Sequence, residues 1–142
     1  MGKILFVCTG NTCRSPMAAG IYNAQALPLG LETAESAGIY AVPGDAVTPN
    51  AVTAAAEYGA DIAAHRAQPV TPQLLADCGA VYCMTPSHLA ALSALYPQYA
   101  AKYRLLEPGG IPDPYGGDLE LYRRTAAVIR GAVERLIEEP RP

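Results

Sequence analysis

A cysteine and an arginine stand six positions apart near the start of the chain, in the run Val7-Cys8-Thr9-Gly10-Asn11-Thr12-Cys13-Arg14-Ser15-Pro16. Cys8 can attack as a thiolate, because a helix N-terminus and a nearby arginine lower a thiol pKa from about 8.5 to roughly 3.5–7.5. The planar guanidinium of Arg14 can hold two phosphoryl oxygens at once. Ser15 is close enough in sequence to donate a hydrogen bond to the Cys8 thiolate. These residue types indicate phosphoryl transfer to sulfur, with no metal or other cofactor.

The flanking residues predict a loop between a strand and a helix. Residues 4–7 are apolar, as in a buried strand. Ser15 followed by Pro16 predicts a helix start with Ser15 as the N-cap. Gly10 and Asn11 tolerate the left-handed backbone that turns successive N–H groups inward. Because such a loop binds anions, the expected phosphate-binding residues are Thr9, Gly10, Asn11, Thr12, Cys13 and Arg14. The spacing C-x5-R alone also occurs by chance, and it is this context that favours a site.

A second candidate group is Asp113, in the segment Ile111-Pro112-Asp113-Pro114-Tyr115-Gly116-Gly117-Asp118. The two neighbouring prolines restrict its backbone. An aspartate in such a loop is often an ordinary turn residue. A leaving group departing from phosphorus benefits from a proton donor, however, and a carboxyl group can supply one. Asp118 is more simply a helix cap, and Tyr115 either lines a pocket or packs.

Short apolar segments alternate with helix starts along the chain. Strands are expected at residues 3–8, about 32–37, 80–84 and 103–106. Helix starts are expected at Ser15, Thr48, Thr71, Thr85 and Asp118, and Gly59 is expected to end the second helix. This alternation predicts an α/β fold: a single doubly wound domain over residues 1–142, with a four-stranded parallel sheet and about five helices on both faces. The loop after the first strand is where such folds bind ligands.

The composition limits the function classes. Of the 142 residues, 51% are apolar and the net charge is −3, which favours a globular protein and disfavours a nucleic-acid surface. No apolar run approaches the roughly 20 residues of a membrane span. We expect no signal peptide, because Met1-Gly2-Lys3 is followed directly by the predicted first strand. A working thiolate points to the reducing cytoplasm. We expect a monomer.

The remaining cysteines and histidines have simpler interpretations. Cys78 and Cys83 repeat the C-x4-C spacing of Cys8 and Cys13, at the edge of what zinc sites use, and zinc is the less favoured interpretation. His88 stands in a helical stretch and is expected at the surface. His65 can support the site, although a partly buried structural role is expected from its neighbours.

Four segments together resemble the low-molecular-weight protein phosphatases over essentially the whole chain. They are residues 8–16, Ser36-Ala37-Gly38, His65-Arg66-Ala67 and Asp113-Pro114-Tyr115, in the order and spacing of that family. The resemblance implies that Cys8 is the nucleophile of a phosphocysteine intermediate, Arg14 the phosphate clamp and Asp113 the general acid and then base. It implies a second, redox-protective role for Cys13. It also implies a hydrogen-bonded network that supports the loop, formed by Asn11, Ser15, Ser36 and His65.

Thr12 bears on the substrate within that family. Tyrosine-specific members usually carry isoleucine there, whereas Cys-Thr-Gly-Asn-Thr-Cys-Arg-Ser resembles the bacterial protein-arginine phosphatases. Met84-Thr85 with His88 resembles the same branch, in which phenylalanine usually replaces Tyr115. A buried guanidinium needs polar partners, and the Thr12 hydroxyl and Asp113 carboxylate can supply them. The resemblance therefore implies phosphorylated proteins as substrates, most of all phosphoarginine, and phosphate or other oxyanions as product or inhibitor.

Three alternatives remain. Thr12 can be a neutral replacement in a protein-tyrosine phosphatase. An arsenate reductase shares this fold, but it needs two further redox cysteines after the third strand, and no cysteine follows Cys83. A non-catalytic phosphoprotein-binding module would be expected to lack Cys8, Arg14 or Asp113, and all three are present.

Overall fold

A computed structural model describes residues 2–139 and contains one four-stranded parallel sheet in the order β2-β1-β3-β4. The strands are β1 (Lys3–Cys8), β2 (Ala34–Gly38), β3 (Cys78–Cys83) and β4 (Tyr103–Leu105). The predicted α/β sheet is confirmed. The third strand begins two residues earlier than predicted, so Cys78 lies inside the strand and not before it. Met1 and residues 140–142, which belong to the predicted domain, lie outside the described residues.

Five α-helices occur within residues 2–139. They are α1 (Arg14–Ala26), α2 (Pro49–Ala56), α3 (Pro72–Asp77), α4 (Pro86–Leu95) and α5 (Leu119–Glu138). Short 3-10 turns follow α1 and α4, at Leu27–Leu29 and Pro97–Lys102. No helix in this part of the chain is long and apolar enough to cross a bilayer.

Most of the predicted helix caps are present. Thr71, Thr85 and Asp118 accept backbone N–H bonds in the first turns of α3, α4 and α5. The prediction that Ser15 is an N-cap is wrong, because the cap position is Cys13 and Ser15 lies within α1. Its hydroxyl is bonded to Cys8 and Asn11 instead of a backbone N–H.

The helices cover both faces of the sheet, as a doubly wound fold requires. Alternate residues of β1 point to opposite sides, with Phe6 in one buried cluster and Leu5 in the other. The first cluster contains residues of α1, α2 and α5, and the second contains residues of α3 and α4. Burial on both faces explains why the central strands are continuously apolar.

The carboxyl edge of the sheet brings the functional loops together. Strand β1 ends at Cys8 and is followed by the loop of residues 9–13, the loop after β3 leads to α4, and the loop after β4 carries Asp113. The end of β2 packs directly against the first loop, since a Cβ on Gly38 would lie 2.6 Å from the Thr9 carbonyl oxygen and 2.9 Å from the Asn11 nitrogen. Only glycine allows this close approach.

Candidate active site

The Cys8 thiol ends β1 and is only 2% exposed. Its Sγ lies 2.9 Å from Ser15 Oγ and accepts the Asn11 N–H at 3.3 Å. The hydrogen bond expected between Cys8 and Ser15 is present. A hydroxyl and a backbone amide therefore both lie within hydrogen-bonding distance of the one sulfur that could act as the nucleophile.

Asn11 organises the loop from within. It is fully buried and takes a left-handed backbone, with φ 58°, whereas Gly10 does not, contrary to the sequence expectation for that glycine. Its Nδ2 donates to Ser15 Oγ at 2.8 Å and to Ser36 Oγ at 2.9 Å. Its Oδ1 accepts from the Gln68 backbone N–H and from His65 Nε2, both at 3.0 Å. The side chain therefore fixes the shape of the loop from four directions.

His65 lies behind the loop and not in the cavity. Because Gln68 N–H needs an acceptor, the atom facing it is the Asn11 oxygen, and His65 Nε2 must carry its hydrogen. The pKa of His65 is lowered on balance, and burial is the largest cause. The hydrogen bond to Asn11 raises this pKa, and the charge of Arg66 lowers it further. The predicted supporting residues Asn11, Ser15, Ser36 and His65 thus meet, and Gln68 joins them although no pattern in the sequence indicated it.

Arg14 is 4% exposed, and two of its three guanidinium nitrogens contact other residues of the site. Its Nη1 donates to the Ile111 carbonyl at 2.9 Å, and Nη2 lies 3.6 Å from Asp113 Oδ2. Its Nε is buried without a hydrogen-bond partner among the described residues. A buried donor without a partner is costly, and an oxyanion beside Cys8 would satisfy it.

Asp113 is half-exposed, with Oδ1 accepting the Tyr115 N–H at 3.1 Å in a local turn. This turn aims the other carboxylate oxygen toward Arg14. Tyr115 is 72% exposed, so it does not pack into the core. It stands at the mouth of the cavity together with Tyr40, which is 74% exposed.

An open cavity of about 270 Å³ lies above the Cys8 thiol. Its walls come from the first loop, the segment after β2 and the Asp113 loop: Cys8, Thr9, Gly10, Thr12, Cys13, Arg14, Tyr40, Val42, Asp45, Asp113 and Tyr115. A larger cavity of about 400 Å³ lies beside α1 and contacts Ser36 and His65 from behind. We place the chemistry in the smaller one, because only it contains the thiol and the guanidinium.

Cys13 contacts two hydroxyl groups that sequence reasoning missed. Its Sγ lies 3.5 Å from Thr48 Oγ1 and 3.4 Å from the Tyr122 hydroxyl. Burial and the hydrogen bond with Cys13 raise the pKa of Tyr122 to about 12. Thr48 begins α2 with its hydroxyl turned to this cluster, and no cap hydrogen bond forms there.

His88 is buried, contrary to the expectation of a surface position. It is 6% exposed, and Nε2 lies 2.8 Å from Thr9 Oγ1. The first turn of α4 faces the site edge of the sheet, which the helical pattern beside Leu89 does not reveal. Burial and the charge of Arg14 lower the pKa of His88 to about 4, although Asp113 acts to raise it.

Known proteins show which family the chain belongs to. A model of the family described as low molecular weight phosphotyrosine protein phosphatase matches residues 3–141. The chain belongs to this family. The sequence-based family assignment and the expectation of a hydrolase of the protein phosphatase class are therefore confirmed.

Relatives in this family carry two kinds of name. The protein-arginine-phosphatase of Bacillus subtilis is 34% identical, covering 96% of this chain and 95% of that protein. The crystal structure of a low molecular weight protein tyrosine phosphatase from T. tengcongensis has a TM-score of 0.92 and 41% identity, covering 97% and 99% of the two chains. A mutant of the arginine phosphatase YwlE with a phosphorylated active-site serine has a TM-score of 0.90 and 33% identity, covering 94% and 92%.

Proposed function

We propose that the chain removes phosphoryl groups from proteins through a phosphocysteine on Cys8, without a metal. The observation that carries this proposal is the buried Nε of Arg14, which has no hydrogen-bond partner among residues 2–139. A phosphate dianion would occupy the cavity above the thiol and complete the hydrogen bonding of that nitrogen. The family supports the same chemistry, since one solved relative bears a phosphoryl group on its active-site serine.

The reaction has two balanced steps. The Cys8 thiolate attacks phosphorus, the bond to the leaving group breaks, and Asp113 gives that group its proton. The Asp113 carboxylate then takes a proton from water, the oxygen of that water attacks phosphorus, and the P–S bond breaks. Inorganic phosphate leaves and the thiolate is restored. Arg14 and the loop amides stabilise the equatorial oxygens in both transition states.

Phosphoarginine is the proposed substrate class. Thr12 and Thr9 give the cavity polar walls, and the Asp113 carboxylate can pair with the guanidinium of the arginine product once Asp113 has given that leaving group its proton. An apolar isoleucine at position 12 would leave guanidinium donors unpaired, at a cost of about 1–3 kcal/mol each. The B. subtilis relative named for arginine supports this class. The competing candidate is phosphotyrosine, favoured by the name of the T. tengcongensis structure.

The substrate class is tested with a phosphoarginine peptide and a phosphotyrosine peptide of otherwise identical sequence. We expect a higher kcat/KM on phosphoarginine, reversed or abolished by Thr12→Ile. A native preference for phosphotyrosine would make the chain a tyrosine phosphatase with a tolerated threonine. Chelator is present throughout, because the proposed chemistry needs no metal.

Arsenate reduction is less well supported. Its two extra cysteines would have to act as nucleophiles, yet burial raises the pKa of Cys78 to about 11 and that of Cys83 to about 12. Cys78 pairs with Lys3 at the far end of β1, and Cys83 is buried on the opposite face of the sheet from Cys8. Cys13 is the thiol proposed to protect Cys8 by forming a reversible disulfide under oxidation. We also propose that the chain acts as a monomer in the cytoplasm, where the reducing environment keeps the Cys8 thiol free.

A further inference from the structure

His88 makes two side-chain hydrogen bonds that the proposed reaction does not use. Its Nε2 lies 2.8 Å from Thr9 Oγ1, and its Nδ1 lies 3.0 Å from Thr85 Oγ1. Thr9 follows the nucleophile directly and lines the cavity, whereas His88 does not line it. A buried imidazole from a distant helix therefore holds one hydroxyl in the cavity wall.

The partners of Thr85 bear on which way the Thr9 hydroxyl points. Thr85 Oγ1 accepts the His88 backbone N–H and lies 2.9 Å from Ser87 Oγ. The Thr85 hydroxyl has one proton to donate. When Thr85 donates it to Ser87 Oγ, the contact with His88 requires that His88 Nδ1 carries a hydrogen and donates to Thr85 Oγ1. His88 Nε2 then accepts the Thr9 hydroxyl proton. In this arrangement the lone pairs of Thr9 Oγ1 are left for a ligand.

We propose that His88 is a positioning residue that acts through Thr9, turning the Thr9 oxygen toward the cavity as an acceptor for a substrate guanidinium N–H. This inference rests on the proposed function and adds a second specificity hydroxyl beside Thr12. A phosphotyrosine ring has no N–H to offer and leaves that oxygen without a partner. Because its pKa is about 4, His88 is neutral near pH 7 and free to accept the proton.

The variants that test this are Thr9→Val, His88→Ala and the two combined. Thr9→Val is nearly isosteric at an exposed position, so it keeps the test valid even where loss of the buried imidazole unfolds the chain. His88→Gln is the conservative variant, since an amide can reach toward Thr9. Ser87→Ala tests the direction of the relay, because it removes the acceptor of the Thr85 proton and leaves Thr9 and His88 in place.

Each protein is assayed for kcat/KM on a phosphoarginine peptide and on p-nitrophenyl phosphate. We expect Thr9→Val and His88→Ala each to lower the ratio of the phosphoarginine value to the aryl phosphate value by about tenfold. The double variant should match Thr9→Val, and His88→Gln should recover part of the loss. Ser87→Ala should show part of the loss, because the Thr85 hydroxyl can then donate to His88 Nδ1 and Nε2 no longer accepts from Thr9.

Other outcomes contradict the proposal. If His88→Ala lowers kcat/KM equally on both substrates, His88 is a purely structural residue. If the losses of kcat/KM in the two single variants multiply in the double variant, His88 does not act through Thr9. If Thr9→Val has the native kcat/KM on phosphoarginine, the Thr9 oxygen does not accept a hydrogen bond from the substrate. If the native chain shows no preference for phosphoarginine, the proposed substrate class fails first and this inference fails with it, before any variant is compared.

Discussion

Arg14 Nη2 lies 3.6 Å from Asp113 Oδ2, so the proposed phosphate clamp and the proposed proton donor contact each other directly. The two partners differ in freedom, because Arg14 is 4% exposed and anchored to Ile111, while Asp113 is 49% exposed on a loop. Because the Asp113 side of this contact is open to solvent, the carboxyl group can move aside for a phosphoryl group. The contact keeps the acid next to whatever leaving group Arg14 brings into the cavity.

Replacing Asp113 should affect substrates according to their leaving groups. We expect Asp113→Ala to slow turnover about 10²–10⁴-fold for a poor leaving group, the usual worth of general acid catalysis. Release of an activated aryl alcohol needs no proton donor and should be slowed least in the first step. The measurement is kcat/KM, which reports the first step, on a series of aryl phosphates of graded leaving-group pKa. An equal loss across the series would contradict the acid role.

Replacing the nucleophile should separate binding from turnover. Cys8→Ser removes the thiolate but leaves Arg14 and the loop amides, so we expect turnover to fall to the background and phosphate binding to persist. Calorimetry with inorganic phosphate and an assay with p-nitrophenyl phosphate give the two readings. Residual activity of more than a few per cent of native would contradict the mechanism. Loss of phosphate binding would contradict the assignment of Arg14 and the loop amides as the phosphate-binding groups.

Asn11 combines a left-handed backbone with four hydrogen bonds, and two variants separate these contributions. Asn11→Gly loses the hydrogen bonds but tolerates φ 58°. Asn11→Ala loses them and adds backbone strain of about 1 kcal/mol. We expect unfolding free energies lower than native by about 2 kcal/mol for glycine and about 3 kcal/mol for alanine. Urea denaturation measures both, and a glycine variant as stable as the native chain would refute the network.

The lowered pKa of His88 makes stability depend on pH. Folding favours the neutral ring, because the folded pKa is about 4 against an ordinary value of 6.5. Below pH 6.5 the unfolded chain takes up a proton that the folded chain does not, so stability falls between pH 6.5 and about 4 and this contribution levels off below. The full loss is on the order of 3 kcal/mol.

His88→Gln isolates that contribution, since the variant keeps His65 and every carboxylate. Urea midpoints are measured from pH 7.5 to 4 for both proteins. We expect the native curve to fall more steeply with decreasing pH than the variant curve. Parallel curves would show that His88 titrates alike in the folded and unfolded chains.

Cys13 should decide whether oxidation is reversible. A Cys8 sulfenic acid formed by peroxide can be captured by the Cys13 thiol, which prevents further oxidation. We expect native activity to return after treatment with dithiothreitol, and Cys13→Ser to remain inactive. Cys78→Ser is the matched control, because Cys78 lies at the opposite end of the sheet from Cys8. Equal recovery of all three proteins would remove the protective role.

The predictable part of this molecule is the part with local signals. The strand before Cys8, the Thr-Pro helix starts and the alternation of strands and helices indicated the parallel sheet, and Asn11 was marked as a left-handed residue. The contacts of Cys13 with Tyr122 and of Thr9 with His88 join residues that are 109 and 79 positions apart. No spacing rule predicts such pairs. Ser15 looked like a cap because its neighbour is a proline, yet a tertiary partner, Cys8, takes its hydroxyl.

The most direct test of the account is to trap the intermediate. Asp113→Ala is mixed with p-nitrophenyl phosphate, whose good leaving group allows the first step while the second lacks its base. After an acid quench, the peptide containing Cys8 is analysed by mass spectrometry. We predict one phosphoryl group on Cys8, formed with a stoichiometric burst of nitrophenol and absent from the Cys8→Ser, Asp113→Ala double variant. Nitrophenol released over many turnovers with no phosphoryl group on Cys8 would contradict the phosphocysteine mechanism.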